Sequence, residues 1–354
     1  MRDELQTLPS VGPSIARDLR DLGIVSVKTL SRRNPERLYV ALNRLRGERQ
    51  DPCVLYTFRC AIYAARTIRP RPELLKWWNW KGRTLLLLLT IGVSAPSAAQ
   101  TSAQGEPVRV ATSYTLPSKV LGQTRRINVY LPPGYGTSGQ RYPVLYLLDG
   151  GIEEDFLHIA GIASLAADFR RMRAFVVVGI EGIDRYHDLI YPTTIDSQRL
   201  RSPTSGGAAA FRSFLATELK PWVESHFRLT DETVLMGESA AGMFVVETLL
   251  RQPDLFRGYI AVSPMLWWDD QSLSRGSPAL LARRPFPPGR RLYLTIADEG
   301  GDMREGVDRL VGALQQAPPP GLEWTFVPME QETHGTTFHP AALAALRQFF
   351  AGAE

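Results

Sequence analysis

The chain has 354 residues, 44% of them hydrophobic, with 41 Lys/Arg, 36 Asp/Glu and 2 Cys. That is enough for one large domain plus a smaller one with ordinary folded cores. Two cysteines without a Cys/His cluster exclude a zinc site. The net charge of +5 hides an asymmetry: residues 1–83 hold 17 Lys/Arg against 8 Asp/Glu, and the remainder hold 24 against 28. A basic small module is joined to a mildly acidic large one.

Residues 1–75 are helical in pattern, without strand alternation. The stretch Leu8-Pro9-Ser10-Val11-Gly12-Pro13-Ser14-Ile15-Ala16-Arg17-Asp18-Leu19 has a helix-hairpin-helix layout, with Pro13 placed just inside its second helix. Backbone N–H groups of such a turn, and the helix N-terminus behind it, can hold a DNA phosphate. Gly12 would let the backbone approach closely. DNA contact by residues 1–83 is therefore one expectation, and packing or protein contact is the other. Cys53 and Cys60 sit seven apart in an apparently helical segment, about two turns from each other and too far for a disulfide. They read as reduced, buried thiols.

Residues 76–104 combine Lys76, Lys81 and Arg83, about ten apolar residues from Thr84 to Val93, and a small-residue exit through Ala95, Ala98 and Ala99. Those are the three parts of a secretory signal peptide, with a cut expected after Ala99. The apolar run is short for a membrane span, which wants ~20 residues. Yet the pattern begins far from Met1, and no Met lies between Met1 and Met172. A non-ATG start near Val54 or Leu74, a gene fusion and an uncleaved anchor inserting residues 84–99 in a membrane all remain open. So does a buried helix between domains. The anchor would leave the small domain in the cytoplasm and the large one periplasmic. Residues 84–107 are thus expected to separate two domains, 1–83 and 108–354.

From Val108 the period changes. Short β-type runs fall at 108–115, 126–131, 143–148, 175–180, 232–236, 258–262, 291–297 and 323–327. Helical patterns separate the later ones, at 155–169, 207–226, 241–251, 303–316 and 340–351. Two leading strands followed by alternating strands and helices imply an α/β fold with a mostly parallel eight-stranded sheet, covered on both faces. That count suits an α/β-hydrolase sheet.

The chemistry concentrates at strand ends. Val234-Leu235-Met236-Gly237-Glu238-Ser239-Ala240-Ala241-Gly242 runs from an apolar strand through one serine into small residues that open a helix. This is the layout of a nucleophile elbow, which exposes a serine Oγ above the sheet. The reacting groups should then follow in the order Ser, acid, His. Only His334 and His339 lie beyond Ser239. His334 lies in a loop able to swing Nε2 to the serine, whereas His339 reads as a helix-entry residue. Asp298, Glu299 and Asp302 crowd after the run 291–297, and Asp298, the first of them, is the expected acid. A Ser–His pair without a close acid also stays open. The oxyanion needs two backbone donors: Ala240 N–H, and a second from Gly151 or Ile152 beyond Leu148-Asp149-Gly150. Asp149 reads as a turn-fixing residue. Tyr186, Trp267 and Trp268 are candidates to line an acyl or aryl pocket, with ordinary packing as the competing account. Arg185 is placed to hold an anionic substrate or to pair with Asp184 or Asp188. No cofactor or metal site is indicated.

Several motifs resemble known families. Leu147-Leu148-Asp149-Gly150, Val178-Gly179-Ile180, Asp184-Arg185-Tyr186-His187-Asp188, Gly237-Glu238-Ser239, Ser263-Pro264-Met265-Leu266-Trp267-Trp268 and Thr333-His334-Gly335 look like the putative esterase family. That family includes esterase D, feruloyl esterases and siderophore esterases, the last being nearest in motif. The resemblance implies ester hydrolysis through an acyl-serine at Ser239, with His334 in the matching position, a small-molecule ester substrate and no obligate protein partner. Ala241 stands where the family usually has glycine. Residues 1–83, with Asp51-Pro52-Cys53, Phe58-Arg59-Cys60-Ala61 and Trp77-Trp78-Asn79-Trp80, resemble the small mitomycin-resistance or pathogenicity-locus family, which implies a small all-α domain. A nucleic-acid-binding or adaptor role through that domain is the competing functional reading.

Overall fold

A computed structural model describes residues 4–67, 69–81, 108–168, 172–283 and 285–352. The chain divides into two compact units, residues 1–103 and 104–354. The apolar run and small-residue exit of the signal-like stretch lie outside the described residues. No described helix is long and apolar enough to cross a membrane.

The first unit is helical. After a 3₁₀ turn at Glu4–Thr7 come α1 (Pro13–Asp21), α2 (Val27–Leu30), α3 (Pro35–Arg46) and α4 (Pro52–Arg66). Three of these helices begin on proline, whose missing N–H costs nothing in a first turn. Gly12 stands directly before Pro13, as the hairpin pattern requires, but the first of the two expected helices is only the 3₁₀ turn. Leu5, Ala16, Leu19, Ile24, Leu30, Leu42, Phe58 and Ile62 form the core. Trp80 closes it, donating its indole N–H to Leu74 O at 2.9 Å, so the tryptophan run belongs to this unit. Cys53 and Cys60 are free. Cys60 is buried, which raises its thiol pKa, whereas Cys53 is only half-buried against expectation. Some of the positive charge is engaged internally: Arg46 pairs with Asp18 and Asp21, and Arg59 with Glu36.

The second unit is built on eight strands: β1 (Thr112–Ser118), β2 (Gln123–Tyr130), β3 (Tyr142–Leu148), β4 (Val176–Ile180), β5 (Leu229–Glu238), β6 (Gly258–Val262), β7 (Arg290–Ala297) and β8 (Leu322–Met329). Their order across the sheet is β1-β2-β4-β3-β5-β6-β7-β8. The first two are antiparallel to their neighbours and the rest run parallel. Every residue of β3, β4 and β6 is buried, because helices cover both faces. This explains why those strands read in sequence as unbroken apolar runs.

The helices of this unit are α5 (Tyr135–Ser138), α6 (Phe156–Asp168), α7 (Arg185–Leu189), α8 (Asp196–Arg201), α9 (Ala208–Phe214), α10 (Lys220–His226), α11 (Ala240–Arg251), α12 (Trp268–Ala282), α13 (Gly301–Gln316) and α14 (Phe338–Phe349). One face of the sheet packs on α9 through α13 and the other on α6 and α14, as the two apolar clusters show. Two differences from the sequence pattern have local causes. The single helix expected at 207–226 is interrupted by a π turn at Leu215–Leu219, just before Pro221, which has no N–H to give the helix. Helix α12 was not expected: Gly276 and Pro278 lie inside it, and Asp269, Asp270 and Gln271 enter it with positive φ of 52°, 50° and 59°.

Candidate active site

Ser239 sits where β5 turns into α11, with φ 59° and ψ −115°. A serine at positive φ is strained, and such strain is held only where neighbours over-determine it. Here Ser239 N donates to Val262 O at 2.9 Å, while Ser239 O accepts from Met243 N at 2.9 Å and Met265 N at 3.0 Å. The small residues are needed for close approach. A Cβ on Gly237 would lie 2.6 Å from Ala241 Cβ, so Ala241 fits because position 237 is glycine. Ala240 N–H is in the first turn of α11 and has no intrahelical partner, and Ser239, as N-cap, sits at the positive end of the helix. The helix is buried along Ala240–Leu250, and Glu247 on it pairs with Arg212 at 3.0 Å and Arg251 at 2.8 Å.

His334 lies in the loop after β8, and its Nδ1 is hydrogen-bonded to Glu299 Oε1. The carboxylate on the imidazole is thus Glu299 and not the expected Asp298. Asp298 and Asp302 are exposed, and Asp298 contributes instead through its backbone, donating N–H to Glu332 O at 2.9 Å. Glu299, one residue on and one methylene longer, reaches the imidazole with a side chain 7% exposed. That hydrogen bond raises the His334 pKa above the ordinary histidine value; burial opposes it, and the charges of Glu299 and Glu238 reinforce it. Nε2 makes no hydrogen bond among the described residues. Ser239 Oγ and His334 Nε2 are not hydrogen-bonded to each other among the described residues, a contact that commonly tightens only with substrate bound. His339 is engaged elsewhere, its Nδ1 lying 3.1 Å from His158 Nε2.

On the other side of the elbow, Arg185 is clamped on helix α7. Its Nε donates to both carboxylate oxygens of Asp149 at 2.9 Å, and Nη2 donates to Glu238 O at 3.1 Å. It thus pairs with neither Asp184 nor Asp188. Those two hold the helix: Asp184 caps it by accepting His187 N, and Asp188 forms a buried ion pair with Arg125 at 2.7 Å. Asp149, at φ 51°, fixes the turn and anchors the arginine together. Behind it, Gly150 packs against β4 so closely that a Cβ would lie 2.4 Å from Gly179 Cα. Gly151 N–H donates to Glu154 Oε2 at 2.6 Å.

Carboxylates crowd this corner. Burial pushes Glu238 up to about 7, eased by His334 and Arg185 and reinforced by Asp155 and Asp149, and its Oε1 is buried without a partner. Burial likewise raises Asp155 to about 6 and lifts Asp149 despite Arg185 beside it. Among the pocket candidates, Tyr186 is 46% exposed and Trp267 half-buried, but Trp268 is 1% exposed and donates its indole N–H to Tyr191 O. Trp268 is therefore core, not substrate lining. Among the described residues no group of three or more His, Cys, Asp or Glu could hold a metal ion.

The order along the chain defines the class. Serine, carboxylate and histidine follow β5, β7 and β8 at the carboxyl ends of parallel strands, the layout of an α/β-hydrolase. Within that class, the chain belongs to the putative esterase family, whose model matches residues 118–323. Residues 2–84 match the pathogenicity-locus family. The mitomycin resistance protein McrB of Streptomyces lavendulae is 36% identical over 22% of this chain and 70% of its own length. Over 36% of the chain, the ferri-bacillibactin esterase BesA of Bacillus subtilis is 31% identical, and the match spans only about half, 49%, of that relative. A solved IroE-like serine hydrolase from Shewanella oneidensis superposes with a TM-score of 0.62 at 27% identity, over 68% of this chain and 80% of that one.

Proposed function

We propose that residues 108–354 are a serine carboxylic-ester hydrolase that works through an acyl-serine. The observation that carries this reading is a strained Ser239 at the strand-to-helix turn, with His334 hydrogen-bonded to Glu299 on the loops that follow the carboxyl ends of β8 and β7. His334 Nε2 takes the hydroxyl proton as Ser239 Oγ attacks the ester carbonyl, and Glu299 stabilises the imidazolium that forms. Ala240 and Gly151 N–H groups receive the oxyanion. Collapse of the tetrahedral adduct breaks the C–O bond, and the alcohol leaves with the proton from His334. Water, deprotonated by the same histidine, then hydrolyses the acyl-serine and releases the acid. Siderophore-like esters head the substrate classes because BesA carries that activity in its name, with aryl and short acyl esters next. Ser239→Ala should abolish turnover of a simple aryl ester, and unchanged turnover would sink the reading.

The signal-like stretch supports export of the hydrolase. The mature protein should then begin near Gln100; an intact Met1 would contradict cleavage.

A further inference from the structure

The amide proposed as second oxyanion donor already has an anionic partner. Gly151 N–H donates to Glu154 Oε2 at 2.6 Å, and the same oxygen lies 3.4 Å from Gly182 N. Glu154 sits on the tight turn after β3, which is closed by Glu154 N donating to Gly151 O at 3.1 Å and Asp155 N donating to Asp149 O at 3.0 Å. Its side chain is exposed and so has water to swing into. A carboxylate oxygen on a backbone N–H makes a short charge-assisted bond, the same geometry a tetrahedral oxyanion would use.

We propose that Glu154 plugs the oxyanion hole from within the chain, so that an ester must displace its carboxylate before the carbonyl oxygen can reach Gly151 N–H. This rests on the serine-esterase reading above. It makes Glu154 a positioning residue that acts through Gly151 and lowers activity on every ester, because its bond to the amide is lost each time the hole is used.

Two variants weaken the plug by different routes. Glu154→Ala deletes the carboxylate. Glu154→Gln keeps the length of the side chain but offers the Gly151 amide only a neutral, weaker acceptor. In the full chain, kcat/KM for p-nitrophenyl acetate should rise roughly tenfold in Glu154→Ala, as expected for loss of a competing charge-assisted hydrogen bond. Phenylboronic acid, which forms a tetrahedral adduct on the serine, should bind tighter by a similar factor. Glu154→Gln should shift both in the same direction by a smaller factor, because it weakens the same contact without deleting it. A fall in kcat/KM and weaker boronate binding, with unchanged melting temperature, would mean that Glu154 shapes the hole; no change would mean that Gly151 N–H lies outside it. Either result overturns the proposal. Turnover that survives Ser239→Ala would instead overturn the esterase reading beneath it.

Discussion

Glu238, the residue before the nucleophile, gives a stability prediction with a definite sign. Its carboxyl keeps its proton to about pH 7 in the fold, against 4.5 for an unperturbed glutamate. Between those values the folded state binds more protons than the unfolded one, so stability falls as pH rises through that window. At 1.36 kcal/mol per pH unit the loss is at most about 3.4 kcal/mol. Glu238 is only half-buried. Solvent screening therefore brings the expected figure to about 1 kcal/mol. Glu238→Gln removes the titration while keeping the shape. Asp155, Asp149 and His334 interact with Glu238, so the difference reports Glu238 together with the shifts its removal causes in them. Thermal unfolding should show the variant more stable above pH 7, by roughly 2–4 °C for a unit of this size, with that advantage gone near pH 4.5. A difference that stays constant across pH would refute the claim that the fold holds this carboxyl neutral.

Other outcomes follow from the same geometry. Glu299→Gln should cut kcat by up to roughly 10⁴-fold by removing the group that fixes the histidine tautomer, whereas Asp298→Asn should stay near wild type; aryl-ester kinetics on both variants decide the acid. Because Glu299 raises the His334 pKa, the acid limb of the kcat/KM profile should lie above the ordinary histidine value, and Glu238→Gln should move it down by removing a charge that favours the imidazolium. Arg125→Met leaves the buried Asp188 on helix α7 with only the His187 imidazole beside it and no guanidinium; about 3 kcal/mol of stability should be lost in denaturant titration. Gly150→Ala forces a Cβ into the β4 backbone, and about 1–3 kcal/mol of destabilisation is expected by the same assay.

Much of this architecture was legible in the sequence, for physical reasons that differ by element. Interior parallel strands such as β3 and β6 are apolar on both faces, so their runs announce themselves without alternation. The elbow was readable because Gly237 and Ala241 are small for one steric reason, their mutual contact. Helix α12 was hidden by Gly276, Pro278 and a left-handed entry that no periodicity signals. Position after the strand could not rank Asp298 against Glu299, since side-chain reach across the loop decides that. Trp268 stood in a run that looked like pocket lining, yet its indole N–H is satisfied inside the core. Glu154 had no sequence signal: a glutamate in a polar turn reads as a solvated charge, and only the 2.6 Å contact to Gly151 N–H distinguishes it.

Covalent trapping tests the central claim most directly. The protein is incubated with a fluorophosphonate, which phosphonylates activated serines, then digested, and its peptides are mapped by mass spectrometry. A single adduct on Ser239, blocked by Glu299→Gln and accompanied by loss of aryl-ester turnover, is the predicted result. Ester turnover that persists with Ser239 unlabelled, or a label on another residue that abolishes activity, would contradict the account.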